Sequence, residues 1–143
     1  RRESAVRFGA DFVFDPHDEK STTTVEKSDV VIIAAGNPAA CQTGFQLVKP
    51  GGIIILFAEN PPGTTLSFDP NQFYHKEVTM LGAYSSSPVE LKLAFEMLVS
   101  GKVQLSNLVT HKFPLNRIPE AVSTMRLAQD SLKIVIVPKD EGG

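Results

Sequence analysis

The fold of this chain is decided by residues 28–57, which read SDVVIIAAGNPAACQTGFQLVKPGGIIILF. Two continuously apolar runs, 30–35 and 53–57, flank the middle of this stretch. Such runs predict strands buried on both faces, as in parallel sheets covered by helices. Between them, Asn37 and Pro38 fit the N-cap and first position of a helix, because Pro lacks only a donor that is unpaired there anyway. The stretch therefore predicts a strand–helix–strand unit of the βαβ type.

The carboxyl ends of these two strands are the first place to look for function. Open α/β sheets bind their ligands in the crevice outside those ends. In this chain the ends are Ala35-Gly36 and Phe57-Ala58. We therefore predict a ligand site formed by these two loops.

Weaker patterns predict the remaining elements. Apolar segments predict short strands at 12–14, 65–68, 77–82 and 134–137, and an extended segment at 108–115. The polar residues 17–27 predict a surface loop or a short, poor helix. Ser87, Pro88 and Glu90 form a capping box that begins a helix. Its expected apolar face is Leu91, Ala94, Phe95 and Leu98, and a second helix at 118–128 is expected to turn Ala121, Val122 and Met125 inward.

Composition narrows the class of protein. The 143 residues carry a formal charge of −2, which offers no basic face for nucleic acid or acidic lipid. Cys41 is the only cysteine, so an internal disulfide is excluded and a reducing, cytoplasmic location is favoured. No apolar run approaches the roughly 20 residues that cross a bilayer. The chain opens in what resembles the middle of a helix closed by Gly9, and this predicts a fragment of a longer protein.

No catalytic or metal-binding cluster is evident in the sequence. His17, His75 and His111 lie far apart, and no spacing of Cys, His and carboxylates indicates a metal site. Cys41 is interpreted as a small core residue rather than a nucleophile. The chain contains neither GxGxxG nor a Walker loop, so it lacks the usual cradle for a phosphate.

Nearly the whole chain resembles the C-terminal half of a medium-chain, zinc-dependent alcohol or polyol dehydrogenase, such as the sorbitol and threonine dehydrogenases. The matching blocks, in order, are Ala5…Phe8-Gly9-Ala10-Asp11, Asp29-Val30-Val31-Ile32…Gly36, Val48-Lys49-Pro50-Gly51-Gly52, Gly82-Ala83-Tyr84-Ser85, Leu98…Gly101-Lys102-Val103, Leu108-Val109-Thr110-His111…Phe113-Pro114-Leu115, Glu120-Ala121 and Lys133-Ile134-Val135-Ile136.

The resemblance implies an α/β fold: a partial Rossmann domain, doubly wound and mostly parallel, without its first two strands. Residues 1–108 would complete the dinucleotide-binding domain, and residues 109–143 would return to the catalytic domain. The zinc ligands and the glycine-rich turn would lie outside this chain.

The resemblance also implies which residues contact a nicotinamide cofactor, NAD or NADP. Phe57 and Ala83 to Ser85 would hold the nicotinamide, and Ala35 and Gly36 would line the ribose. Arg1 would lie beside the adenosine ribose and Lys133 near the pyrophosphate, where a cation suits the charge. The full set of implied cofactor residues is Arg1, Ala35, Gly36, Phe57, Ala58, Ala83, Tyr84, Ser85 and Lys133.

The implied activity of the parent protein is hydride transfer between a secondary alcohol or polyol and NAD(P), assisted by zinc. The isolated chain is expected to be inactive. Two alternatives remain open at this point: a zinc-free, quinone oxidoreductase-like member of the same superfamily, and a non-catalytic binding or assembly module. No catalytic or metal-ligating residue is assigned within the chain.

The resemblance further implies a homodimer formed through residues 65–68 and 78–84. Loss of the first two strands would leave the strand at 30–35 with a bare edge. We therefore expect that either residues 12–14 move to pair with that edge or another chain covers it.

Overall fold

The computed structural model describes residues 1–138. Its helices are α1 (Arg2–Arg7), α2 (Glu19–Thr24), α3 (Pro38–Leu47), α4 (Pro70–Tyr74), α5 (Pro88–Val99) and α6 (Ile118–Leu127). Its strands are β1 (Ser28–Ile33), β2 (Val48–Leu56), β3 (Thr79–Gly82), β4 (Val109–Pro114) and β5 (Lys133–Val137). Short 3-10 turns, Ser106–Leu108 and Leu115–Arg117, flank β4. The chain divides into two compact units, one formed by Gly9–Ser85 and the other by Arg1–Phe8 with the residues from Ser86 onward.

The predicted βαβ unit is confirmed in the Gly9–Ser85 unit. Strand β1 pairs in parallel with β2, β2 pairs in parallel with β3, and α3 connects β1 to β2. The side chain of Asn37 caps α3 by accepting a hydrogen bond from the backbone N–H of Ala40 at 2.9 Å. The three-stranded parallel sheet, in the order β1-β2-β3, is the α/β architecture that the sequence predicts.

The core of this unit lies between α3 and the sheet. Its buried residues are Ile33, Cys41, Val48 and Ile54. Helix α3 approaches β1 closely because Gly44 has no side chain: a Cβ there would lie 2.7 Å from Cδ1 of Ile33. The interpretation of Cys41 as a core residue is confirmed, since its side chain is fully buried.

Burial of β1 on both faces was expected and is wrong for this structure. Val31 and Ile33 pack toward α3, whereas Val30 is 50% exposed and Ile32 is 60% exposed. Successive side chains of a strand point to opposite faces, so the exposed pair marks the face that no described element covers.

Two predicted strands are absent from the described structure. Residues 12–14 form no strand, and the Phe12 side chain is 90% exposed, because no neighbouring strand offers them a ladder of hydrogen bonds. Residues 65–68 are also irregular. There the Phe68 ring packs edge-on against Phe45 and Phe73, with centroids 6.0 and 4.9 Å apart, so the segment contributes to its own unit's core rather than to the sheet.

Of the two expected ways of covering the sheet edge, movement of residues 12–14 is wrong, and covering by another chain stays a prediction. Strand β1 pairs with β2 alone among the described strands, and residues 10–14 do not move onto its other edge. Instead, an open cleft of about 1050 Å³ separates residues 10–14 from the beginning of β1. The segment at 17–27 contains the predicted short helix, α2, and its N-cap is Asp18.

Helix α5 begins as the sequence predicts. The Ser87 hydroxyl accepts from the backbone N–H of Glu90, and the Glu90 carboxylate accepts from the backbone N–H of Ser87. The pKa of the Glu90 carboxyl lies below its ordinary value, first because the carboxylate accepts from the backbone N–H of Ser87 and second because it interacts with the Ser87 side chain. No residue of α5 is buried in the described structure, so the expected apolar face of Leu91, Ala94, Phe95 and Leu98 is exposed.

The second unit contains a parallel pair, β4 and β5, connected by α6. Ala121 is buried as predicted, but Val122 and Met125 are exposed, at 36% and 58%. The inward face of α6 carries Ala121 together with the partly buried Thr124, so it is rotated by about one residue from the predicted face. Among the described residues, no helix has the length and apolar character needed to cross a membrane.

Candidate cofactor site

The three strands of the larger sheet end side by side. Ile33 pairs with Leu56, and Leu56 pairs with Gly82, so the loops that follow β1, β2 and β3 emerge in a row. These loops carry seven of the nine sequence-predicted site residues: Ala35, Gly36, Phe57, Ala58, Ala83, Tyr84 and Ser85. Parallel pairing therefore brings together residues that lie up to 50 positions apart in sequence.

The backbone at this edge can offer acceptors to a ligand more readily than donors. The N–H groups of Phe57 and Ala58 both donate to the carbonyl of Ile33, each at 3.1 Å. The N–H of Ala83 donates to the carbonyl of Leu56 at 3.0 Å. With these donors engaged, the carbonyl oxygens of Phe57 and Ala83 are the groups suited to accept from a ligand's amide NH₂.

The side chains along this edge leave room for close approach. Ala35, Ala58 and Ala83 carry only a methyl group, and a Cβ placed on Gly82 would meet no atom within 4 Å. The two large side chains project outward, with Phe57 64% exposed and Tyr84 96% exposed. A flat ring system can therefore reach the backbone at the end of β3.

Ser85 has an unusual backbone conformation. Its φ is +59°, in the left-handed region that residues other than Gly, Asn and Asp seldom adopt. Such conformations cost about 1–3 kcal/mol and cluster at ligand sites. The family resemblance implied that Ser85 contacts the cofactor, but the sequence gave no sign of this strain.

The loops after β1 and β2 are packed tightly against each other. A Cβ on Gly36 would lie 2.0 Å from the carbonyl oxygen of Glu59, so only glycine fits at this crossing. Beside it, the Asn60 amide lies 3.9 Å from the buried sulfur of Cys41, and its Oδ1 atom is buried without a partner among the described residues. Sequence reasoning missed Asn60, although an Asn-Pro pair directly after a buried strand is a turn signal.

The other two predicted residues, Arg1 and Lys133, belong to the second unit. Arg1 lines a polar cleft of about 230 Å³ whose wall includes Thr110 and Leu132. Lys133 is exposed and follows Leu132 directly at the beginning of β5. The unit therefore places Arg1 and Arg7, together with Glu3 and Asp130, on a polar cleft, and Lys133 beside the wall of the same cleft.

A metal site is not formed by the residues that the structure describes. Within 1–138, no group of three or more His, Cys, Asp and Glu side chains is close enough to hold an ion. His17 and His75 are exposed, and His111 contacts Thr110 and stacks on Phe113 at a centroid distance of 6.2 Å. These residues do not fit a zinc ion, whereas the small residues at the strand ends leave the backbone there accessible.

A family model described as zinc-binding dehydrogenase matches residues 1–100 of this chain. The chain belongs to that family. Its L-threonine 3-dehydrogenase relative from Pyrococcus horikoshii is 31% identical over 97% of the chain, and a sorbitol dehydrogenase from Halalkalibacterium halodurans is 24% identical over 98%. The chain spans 42% of the length of each of these relatives.

The fold agrees with this assignment. The structure of a protein described as a zinc-binding dehydrogenase from Sinorhizobium meliloti 1021, bound to NADP, superimposes with a TM-score of 0.87 at 21% identity. It covers 96% of this chain, and this chain covers 42% of it. The predicted resemblance to the C-terminal part of a zinc-dependent medium-chain dehydrogenase is confirmed, and so is the partial Rossmann fold.

Proposed function

We propose that this chain is the cofactor-binding portion of an oxidoreductase that transfers hydride between a secondary alcohol or polyol and NAD or NADP. The observation that carries the proposal is the row of three strand ends lined by small residues, in a chain of the zinc-binding dehydrogenase family. The sorbitol and threonine dehydrogenases among its relatives support an alcohol group as the reacting part of the substrate.

Each strand-end residue has a proposed role in holding the cofactor. When bound, the nicotinamide ring supplies the chemistry by accepting or donating a hydride. The carbonyls of Phe57 and Ala83 would accept from its carboxamide NH₂, which fixes the face of the ring that is presented. The Phe57 ring and Tyr84 would exclude water, while Ala35, Gly36 and Ala58 would line the ribose.

The charged residues have a separate proposed role. Lys133 would neutralise part of the pyrophosphate charge, and Arg1 would lie beside the adenosine ribose. Zinc, where the parent protein uses it, would be held by residues outside the described part of this chain, because no suitable cluster is present within 1–138. We further propose that residues 1–108 belong to the cofactor domain and 109–143 to the catalytic domain, and that the protein is cytoplasmic, as its lone Cys41 favours.

The first prediction concerns activity. The purified 143-residue chain should show no alcohol-dependent reduction of NAD or NADP, with or without added zinc, because it assembles no metal site among its described residues and carries no glycine-rich phosphate turn. The protein encoded by the complete reading frame should reduce the cofactor with small secondary alcohols or polyols, measured by absorbance at the NADH band.

The same assay distinguishes the alternatives. Full activity toward a quinone after treatment with a chelator would favour a zinc-free reductase. Absence of cofactor binding by the complete protein would favour a non-catalytic module. Turnover by the 143-residue chain above a blank would contradict the prediction.

The second prediction concerns assembly. We propose a homodimer in which β3 pairs with its symmetry mate, because β3 is an edge strand and Met80 and Leu81 are 40% and 49% exposed. Residues 65–68 form no strand, so they can supply side-chain contacts but no additional ladder. Light scattering of the complete protein should report an even number of subunits. Replacing Leu81 with Lys should reduce that number, while the exposed control Leu105→Lys should not.

A further inference from the structure

Thr110 organises the backbone around Lys133. Its hydroxyl oxygen accepts from the backbone N–H of Leu132 at 3.0 Å and donates to the carbonyl of Lys133 at 3.3 Å. It also lies 3.0 Å from Nδ1 of His111. A hydroxyl has one proton and two lone pairs, so all three contacts are satisfied together when His111 carries its proton on Nδ1.

The Thr110 hydroxyl bonds to residues 132 and 133 at a place where the regular backbone pairing of β4 with β5 is interrupted. The pairing of β4 with β5 shifts register between Val109 and His111, which leaves Thr110 outside the regular ladder. Such irregularities re-aim a strand locally and recur next to functional sites. Here the irregularity falls opposite the residue at which β5 begins, Lys133.

The same residue forms part of a polar wall. Thr110 and Leu132 line the cleft of about 230 Å³, whose charged lining residues are Arg1, Arg7, Glu3 and Asp130. Thr110 is itself exposed, so removing its hydroxyl leaves no large void in the core. The two hydrogen bonds from its hydroxyl to the backbone therefore fix the position of residues 132–133 and contribute little to the packing of the unit.

We propose that Thr110 is a positioning residue for cofactor binding: it fixes the backbone of Leu132 and Lys133, and thereby aims the Lys133 ammonium at the anionic part of the dinucleotide. The inference rests on the proposed function, because Lys133 matters only if a dinucleotide binds. Thr110 itself touches neither the reacting atoms nor the substrate.

The experiment uses the protein encoded by the complete reading frame and titrates it with NADH and NADPH. Thr110→Val keeps the shape of the side chain but removes both hydrogen-bonding roles. The Kd for the reduced cofactor should rise roughly three- to tenfold, as expected for loss of one or two net hydrogen bonds. The KM for the cofactor should rise by a similar factor, whereas kcat should stay within about twofold. Thr110→Ser, which retains the hydroxyl, should restore most of the affinity.

A double-mutant cycle tests whether Thr110 acts through Lys133. Lys133→Gln should weaken binding alone, and adding Thr110→Val should then cause no further loss. Ser123→Ala is a matched control, because the Ser123 hydroxyl bonds only to the carbonyl of Pro119 in its own helix. It should leave the Kd unchanged. Thr110→Ala replaces Thr110→Val if the latter does not fold by circular dichroism.

The inference would be overturned, with the proposed function left intact, by wild-type affinity in Thr110→Val or by an equal loss from Thr110→Val with and without Lys133. A wild-type protein that binds neither NADH nor NADPH would overturn the proposed function, and the inference with it. Weakened binding that Thr110→Ser does not restore would also count against the role of the hydroxyl.

Discussion

Replacing Gly36 with Ala should destabilise the protein and sharply weaken cofactor binding. The added Cβ would lie 2.0 Å from the carbonyl oxygen of Glu59 and 3.0 Å from its carbonyl carbon. Both are backbone atoms, so relief requires movement of the loop after β1 or the loop after β2, and no side chain can rotate out of the way. Overpacking of this kind costs about 1–3 kcal/mol. Because both loops belong to the candidate cofactor site, the NADH Kd should rise along with the loss of stability.

The matched control is Gly82→Ala, at the end of β3 on the same edge of the sheet. A Cβ there meets no atom within 4 Å, so the free energy of unfolding should stay within about 0.5 kcal/mol of the wild type. Chemical denaturation measures the stability of both variants, and fluorescence titration measures their cofactor affinity. Equal stability of the two variants would show that the loops around Gly36 can move without loss of stability, and it would contradict the prediction.

The parts of the fold that the sequence predicted well are those decided by local chemistry. The cap of α3 by Asn37 and the capping box of Ser87 and Glu90 form within four residues of chain, so their patterns are visible without knowledge of the rest. The run 30–35 likewise marked β1, because β-branched residues favour strands wherever they pair.

The errors concern partners that are distant in sequence. Residues 12–14 have strand composition, yet a strand needs a neighbour, and no described strand pairs with them. Phe68 lies in a similar short apolar run, but its ring packs with Phe45 and Phe73 instead. Helix α5 forms as predicted, but all of its apolar residues are exposed, because burial depends on contacts that no local pattern specifies.

The same difference between local and long-range features applies to the candidate site. Strand ends could be located from composition, and parallel pairing then brings Ala35, Phe57 and Ala83 to one edge. The contact between Gly36 and Glu59, and the hydrogen bonds of Thr110 to residues 132 and 133, join segments about 20 residues apart. Gly and Thr are common in loops and strands, so the residue type alone does not predict these long-range contacts.

Replacing Ile54 with Ala should be among the most destabilising single changes in the described chain. Ile54 is fully buried in β2, the central strand of its sheet, in a cluster with Ile33, Cys41 and Val48. Truncating a buried Ile to Ala typically costs about 2–5 kcal/mol, because transfer energy is lost and a cavity remains. A domain of this size has only about 5–15 kcal/mol of net stability. The midpoint of urea unfolding should therefore fall substantially, with little change in the m-value.

Ile32→Ala is the control for Ile54→Ala, because it makes the same truncation at an exposed position. Ile32 lies in β1 and is 60% exposed, so in the 143-residue chain the same truncation should cost less than about 1 kcal/mol. In the complete protein, a proposed covering of this face of the sheet would raise the cost of Ile32→Ala toward the range of a core residue. A cost that stays low in both proteins would mean that the face remains in contact with water, and a small loss from Ile54→Ala would contradict the packing around β2. The difference between the two proteins at Ile32 thus measures how far the proposed covering buries this face of the sheet.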